Sequence, residues 1–297
     1  MSIALEYILK QIAQQPVFRI RGNDFAAQRA YAEDPQNQLP LPEGISAERR
    51  LFGNVPCEIL VPHPLKSENL ILYIHGGGFC TGSEIASRGY GGILAEMSGM
   101  RVVTVGYRLA PENPYPAGVD DCFQVYCALR EAFPGKKIAM IGESAGATMI
   151  LVTALKAKYA EIPQPSCMVS CSACTNFAED LPSHSQNRGA LVVADADIRE
   201  QLCQVYLSDG IDPTIPYVSP YYGDFSGTCP IWFWADQGEI LFDDTEQLAS
   251  HLQKSGLPVT LRTSEGTFHA FPSIGNVCPE SKQLNEEIIA FMMEYNM

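Results

Sequence analysis

A short, largely apolar run, Lys137-Ile138-Ala139-Met140-Ile141, leads directly into Gly142-Glu143-Ser144-Ala145-Gly146, and then into the apolar helical stretch Ala147–Tyr159. A strand that becomes a helix this abruptly leaves no room for side chains at the turn. Glycine on both sides of the serine removes the atoms that would clash. A turn of this kind also dictates what surrounds it. The strand must sit inside a sheet, the helix must pack back across it, and the serine is left exposed on the sharp bend between them.

The rest of the chain repeats the strand-then-helix rhythm. Short β-branched or aromatic runs at Leu70–Ile74, Val102–Val105, Met168–Cys171, Ile231–Trp234 and Val259–Arg262 predict strands covered on both faces. Helical spacing predicts helices over Ala117–Phe133, Asp243–Ser255 and Glu280–Met293, with a further helix at the N-terminus carrying Ile3, Leu5, Ile8, Leu9 and Ile12. Asp243 and Asp244 open the second of these, Lys254 closes it and Gly256 follows, in keeping with the helix dipole and a C-terminal stop. The fold class is therefore α/β: a mostly parallel sheet flanked by helices. Two segments depart from the rhythm. Residues 1–44 read as an N-terminal cap arm ending in a linker with three prolines between Pro35 and Gly44. Residues 45–297 form the main catalytic domain. Within it 175–217 breaks the alternation, contains a helix near Ala196–Tyr206, and is expected to be a helical cap insertion over the sheet edge where α/β proteins bind ligands.

With 20 Lys+Arg against 34 Asp+Glu, the net charge is −14. A chain this acidic repels nucleic acid and anionic lipid, and no basic cluster exceeds a pair such as Arg49-Arg50. No apolar run approaches the roughly 20 residues of a membrane span, and the first residues do not read as a secretion signal. The expected location is cytoplasmic, with no nucleic-acid or membrane partner. Cys167, Cys171 and Cys174 lie in an apolar stretch without zinc spacing, so they read as buried thiols, and no metal is expected.

A serine on such a bend points to nucleophilic chemistry, which needs a base, an acid to orient it, and donors for the developing oxyanion. After the Leu70–Ile74 strand comes His75-Gly76-Gly77-Gly78-Phe79, whose glycines let backbone amides face a substrate oxygen. The candidate oxyanion donors are Gly77, Gly78 and Ala145. His75 is expected to fix its loop rather than transfer protons. Of the five histidines, His269 follows the last strand, at the sheet edge where the bend opens, and is the candidate base for Ser144. The acid should lie between them, after Ile231–Trp234. Glu239 is favoured, with Asp243 and Asp236 as alternatives; Asp243 and Asp244 also suit a helix's first turn. Phe79 and Phe271 are candidate substrate-pocket walls.

These residues resemble the hormone-sensitive-lipase-like branch of the α/β-hydrolases, the bacterial family IV esterases. His75–Ser83 resembles the family's oxyanion motif. Tyr107–Ala117 resembles a long signature, and Ser219-Pro220 with Asp224, Gly227 and Pro230 another. The match runs in order over roughly residues 70 to 272. The chain departs from the family in carrying Glu239 where Asp is usual, Ala270 after the histidine where Gly is usual, and Glu143 where Asp is commoner. The resemblance implies an α/β-hydrolase fold with a helical cap and a serine carboxylic ester hydrolase acting on short- to medium-chain acyl esters through an acyl-enzyme. It implies no cofactor and a small-molecule ester as partner, and it is compatible with a homodimer. Two alternatives stand beside it. One is an amide or formamide hydrolase with the same triad. The other is a catalytically silent small-molecule receptor, as in the plant gibberellin receptors, which resemble this family without the histidine.

Overall fold

The computed structural model describes residues 1–14, 24–187, 198–208 and 210–296. Two helices, α1 (Ile3–Ile12) and α2 (Phe25–Glu33), precede the sheet. The chain then runs β1 (Ile45–Phe52), β2 (Val55–Pro62), β3 (Leu70–Ile74), α3 (Arg88–Ser98), β4 (Arg101–Val105), α4 (Ala117–Ala132), β5 (Ile138–Glu143) and α5 (Ala145–Tyr159). It continues through β6 (Met168–Cys171), α6 (Pro182–Gln186), α7 (Ile198–Tyr206), β7 (Ile231–Asp236), α8 (Phe242–Lys254), β8 (Val259–Ser264) and α9 (Pro279–Asn296).

The strands form one sheet in the order β1-β2-β4-β3-β5-β6-β7-β8. The β1–β2 and β2–β4 pairs are antiparallel. All pairs from β4 through β8 are parallel. Residue alternation divides the core in two. Leu70, Leu72 and Ile74 face one side with Ile138, Met140 and Phe233, packed by α4, α5 and α8. Ile71, Tyr73, Ala139, Ile141, Trp232 and Trp234 face the other, packed by α3, α9 and Leu5 of α1. Cys167 and Cys171 belong to the second side and Cys174 to the first, so the three thiols do not converge.

From β3 the chain crosses to β4 on one side and returns to β5 on the other. The order therefore reverses between β3 and β5, and open α/β sheets place ligand crevices at such a reversal. The loop after β3 and the bend after β5 both emerge there.

The predicted strands and helices are present, with ends shifted by a few residues. The N-terminal end of the helix expected near Ala196 lies outside the described residues. Five of the described helices and strands, α2, β1, β2, α3 and α6, were not read from the sequence. β1 is exposed along most of its length and carries Glu48, Arg49 and Arg50, so it shows no apolar alternation. It exists because β2 offers it a hydrogen-bonding edge, and its charges protect the new edge. α3 contains three glycines, which disfavour helix. They are needed for close packing: a Cβ on Gly91 would lie 2.7 Å from Leu60 and 2.9 Å from Thr104. Tertiary contact overrides propensity there. α2 carries almost no apolar face and buries none of its residues. The proline-containing segment before β1 is not a loose linker; Leu39 and Leu41 pack against the core.

The central helix α5 is buried at every position from Ala145 to Leu155. Its first turn touches β3 so closely that a Cβ on Gly146 would lie 1.9 Å from the Ile74 carbonyl oxygen and 2.6 Å from that of His75. Backbone on both sides cannot yield as a flexible side chain would. Gly146→Ala should therefore lower stability by about 3 kcal/mol, a fall of roughly 6–12 °C in Tm for a domain of this size. A thermal melt followed by circular dichroism reads this directly, and an unshifted Tm would contradict the contact.

Candidate active site

Ser144 occupies the bend between β5 and α5 with φ 53° and ψ −123°. A positive φ on a residue with a side chain is strained by about 1–3 kcal/mol and persists only where surrounding structure enforces it. Here a Cβ on Gly142 would meet the Gly146 carbonyl at 2.4 Å, so glycine alone fits beneath the bend. The Ser144 amide donates to the Cys171 carbonyl at 2.9 Å, tying the bend to the end of β6. Ala145 begins α5, and its amide points from the positive end of the helix.

The residue after Cys171 extends this tie across the sheet edge. Ser172 Oγ donates to Glu239 Oε1 at 2.7 Å and accepts from the Ala270 amide at 3.1 Å. Glu239 is 1 % exposed. Its Oε1 also accepts from the Asp236 amide at 3.1 Å, and its Oε2 lies 2.5 Å from His269 Nδ1. An ionised carboxylate only accepts, so Nδ1 carries the proton and Nε2 is left as the basic nitrogen. Elements β5, β6, β7 and the loop after β8 thus bring Ser144, Glu239 and His269 to one edge.

The other acids are occupied elsewhere. Asp236 accepts at Oδ2 from the Thr267 amide at 2.8 Å and its hydroxyl at 2.6 Å, anchoring the loop that carries His269. Asp243 accepts from the Ser183 amide. Asp244 accepts from the amides of Thr175 and Asn176 and lies 2.6 Å from His184 Nε2, which fastens α6 to α8. His251 is an exposed residue of α8, and His63 lies beside Ser46.

On the opposite side of the bend, Gly77 and Gly78 take φ values of 106° and 60°. A Cβ on Gly77 would lie 2.4 Å from the Thr81 carbonyl. The Gly76 amide is already used, donating to Glu143 Oε1 at 2.8 Å, which leaves Gly77 and Gly78 as the loop's candidate donors. His75 is 4 % exposed, its Nδ1 donates to the Gly76 carbonyl at 2.7 Å, and its ring stacks on Tyr107 at 4.4 Å. Burial pushes its pKa down to about 4, so it is a neutral brace for the loop. Tyr107 donates to the His75 carbonyl, and the Ala110 amide donates to the Phe79 carbonyl. The Tyr107–Ala117 motif therefore holds the loop from outside, and Arg108 keeps that motif in place through a bidentate pair with Asp121. Ser219 also serves structure: its Oγ accepts from the Phe177 amide and donates to the Pro213 carbonyl.

Phe79 and Phe271, the candidate pocket walls, are both packed into the core. Phe79 is 2 % exposed, stacked on Tyr206 at 3.8 Å, and joins the loop to α7. Phe271 is 1 % exposed and packs on Phe268 and Trp234 on the other side of the sheet. Large rings beside a loop are drawn into the core because burial removes so much apolar area from water. Sequence reasoning missed Ser172, whose only signal is its position at the end of a strand. It also missed Arg29 of α2, which donates to the carbonyls of Cys80 and Ala110 and pairs with Glu112. No motif marks that arginine.

A family model described as alpha/beta hydrolase fold matches residues 71–273. The chain belongs to this family. An acetyl-hydrolase of Streptomyces hygroscopicus is 31 % identical over 224 residues, 75 % of this chain and 74 % of the relative. An esterase of Acinetobacter venetianus is 31 % identical over 223 residues, again 75 % and 74 %. Among solved structures, an esterase from the bacterial hormone-sensitive lipase family superposes with a TM-score of 0.89 at 27 % identity, covering 100 % of this chain and 99 % of that one. The resemblance read from the motifs thus extends over the whole fold.

The three acids left open by the sequence have different partners: Glu239 meets His269, Asp236 the Thr267 loop and Asp243 the Ser183 amide. Glu239→Gln should cut kcat roughly 10³- to 10⁴-fold while the protein stays folded, because the amide no longer holds the imidazole in its tautomer. Asp236→Asn should act mainly on Tm through the Thr267 loop. Steady-state kinetics with thermal melts on both variants distinguish the roles, and the reverse pattern would exchange them.

Proposed function

We propose that this hydrolase-family chain is a serine carboxylic ester hydrolase with Ser144 as nucleophile, His269 as general base and Glu239 as the acid. The observation that carries the reading is the buried Glu239–His269 pair, tied through Ser172 to the strained bend that presents Ser144. Such an arrangement has little structural purpose, since it buries a carboxylate and strains a backbone at one place.

In this reading Ser144 Oγ attacks the ester carbonyl carbon while its proton passes to His269 Nε2. Glu239 stabilises the imidazolium that forms. The carbonyl oxygen becomes an oxyanion and accepts from the amides of Gly77, Gly78 and Ala145. His269 returns the proton to the leaving alkoxide, the C–O bond breaks and an acyl-Ser144 remains. Water then attacks the acyl carbon, again giving its proton to His269, and the acid product leaves with Ser144 restored. Every step balances without a cofactor.

The substrate class is a short- to medium-chain acyl ester met in solution. Relatives named acetyl-hydrolase and esterase support the short acyl end of that range. No helix among the described residues is long and apolar enough to cross a membrane, and the net charge of −14 disfavours an anionic lipid surface. Both fit a cytoplasmic enzyme acting on dissolved esters.

Hydrolysis of p-nitrophenyl acetate, butyrate and octanoate by the wild type and by Ser144→Ala tests the reading. Wild type should turn over acetate and butyrate best, and Ser144→Ala should lose at least about 10³-fold in kcat with an unchanged circular dichroism spectrum. Wild-type activity should also fall in acid as the base takes a proton. An inert wild type, an active Ser144→Ala variant or a preference for octanoate would each contradict part of it.

A further inference from the structure

The loop that carries Gly77 and Gly78 is held unevenly. Its flanks are tied to protein on several sides: Tyr107 bonds the His75 carbonyl, the Ala110 amide bonds the Phe79 carbonyl, and Arg29 bonds the Cys80 carbonyl. Behind its middle lies a chamber of about 390 Å³, lined in part by Gln38, Thr81, Tyr90, Gly76, Gly77 and Glu143. Within the loop the Gly77 carbonyl accepts from the amides of Cys80 and Thr81 and from the Thr81 hydroxyl, and the Gly76 carbonyl accepts from His75 Nδ1. The carboxylate that reaches the middle of the loop from another segment is Glu143. Its Oε1 accepts from the Gly76 amide at 2.8 Å and from the Tyr73 hydroxyl at 3.0 Å. Gly76 is also the glycine closest to the nucleophile, since a Cβ on it would lie 3.0 Å from Ser144 Cβ.

We propose that Glu143 is a positioning residue for ester cleavage, whose carboxylate holds the Gly76 amide and so sets the direction of the Gly77 and Gly78 amides next to Ser144. The inference rests on the oxyanion hole assigned above. Glu143 immediately precedes Ser144, so one residue couples the nucleophile's bend to the loop across from it. The His75–Gly76 peptide unit that Glu143 holds adjoins the unit that carries the Gly77 amide, so displacing it displaces that amide, and misplacement by about 1 Å costs on the order of 100-fold in rate.

The environment of Glu143 also makes the tether sensitive to pH. Its Oε2 is buried without a hydrogen-bond partner. Burial raises its pKa to about 7, opposed by the bonds from Gly76 and Tyr73 and by His269. The groups that face it are Tyr73 of β3, Tyr90 of α3, Tyr107 after β4, Cys171 of β6 and His269 after β8. Burial holds the three phenols and the thiol well above their ordinary values, so they are neutral here. His75, which lines the same chamber, is neutral too. The remaining facing group is His269, which opposes the rise. Above about 7 the carboxylate makes a charge-assisted bond to Gly76, and below it the neutral acid makes a weaker one. Acid therefore weakens the tether.

Three proteins test this: wild type, Glu143→Ala and Glu143→Gln, with kcat and KM on p-nitrophenyl butyrate from pH 5 to 9. Glu143→Ala should lose roughly 10- to 100-fold in kcat with KM changed less than about 3-fold. Glu143→Gln keeps an oxygen that can accept from Gly76 and Tyr73, so it should recover most of that loss. It should also show a single-ionisation acid limb where the wild type shows a steeper one. A wild-type kcat in Glu143→Ala, a loss carried by KM, or a Gln variant as impaired as Ala would overturn the proposal. Should Glu143→Ala not fold, the Gln profile decides, and an acid limb identical to wild type overturns it. A wild type inert on all esters would instead overturn the ester-cleaving reading and this inference with it. An active wild type that Ser144→Ala abolishes, together with unaffected Glu143 variants, overturns this inference alone.

Discussion

The close approach of α5 to the ends of β3 and β5 governs what lies around it. Gly146 touches the carbonyls of Ile74 and His75, and Gly142 touches Gly146. Between those contacts Ser144 adopts a positive φ. Burial of α5 along its first three turns maintains this geometry, because relaxing the bend would mean withdrawing a buried, largely apolar stretch of helix from the core. The strain at one residue is small beside that burial. The same close approach brings the loop after β3 alongside the bend, so the backbone that strains the serine also supplies the neighbouring amides.

Polar contacts complete what packing begins. Ser172 bonds Glu239 and the Ala270 amide, Asp236 bonds the Thr267 loop, and Glu143 bonds Gly76. Each joins two segments far apart in the chain at the C-terminal edge of the sheet. Buried polar groups are costly when unsatisfied, so each contact strongly favours one arrangement of the loops it joins. Arg29 and Phe79 perform the same task toward α2 and α7, one by three hydrogen-bonded partners and one by stacking on Tyr206. In the proposed reaction the reacting groups are thereby held before substrate arrives, which is the condition for electrostatic stabilisation of a transition state.

Legibility in the sequence followed the range of the interactions. Strands β3 to β7 were readable because burial on both faces demands continuous apolar runs, whereas β8 lies at the sheet edge with no buried residue and was marked by its β-branched residues. The bend at Ser144 was readable because glycines flank a serine between a strand and a helix, although only Gly142 is forced by a near neighbour, Gly146, while Gly146 is forced by the distant end of β3. β1 and α3 were not, since one is held by a neighbour's free edge and the other tolerates glycines for the sake of contacts with β2, β3 and β4. Glu239 could be favoured over Asp236 and Asp243 from position alone, but the reason each acid has its place lies in the partners Ser172, Thr267 and Ser183. Phe79 and Phe271 read as pocket rings because they flank functional residues, and sequence says nothing of which way a ring turns.

Local chemistry was therefore written in the chain itself. It specified an α/β sheet, a nucleophile bend, a glycine loop and a histidine after the last strand, since each depends on short-range sterics or on the period of apolar residues. Tertiary structure alone decided which carboxylate meets His269, that Ser172 links it to the bend, that Arg29 fastens the N-terminal arm, and that Glu143 reaches Gly76. Those are contacts between residues separated by many positions. Their partners are selected by strand order and loop direction, which only the assembled sheet defines.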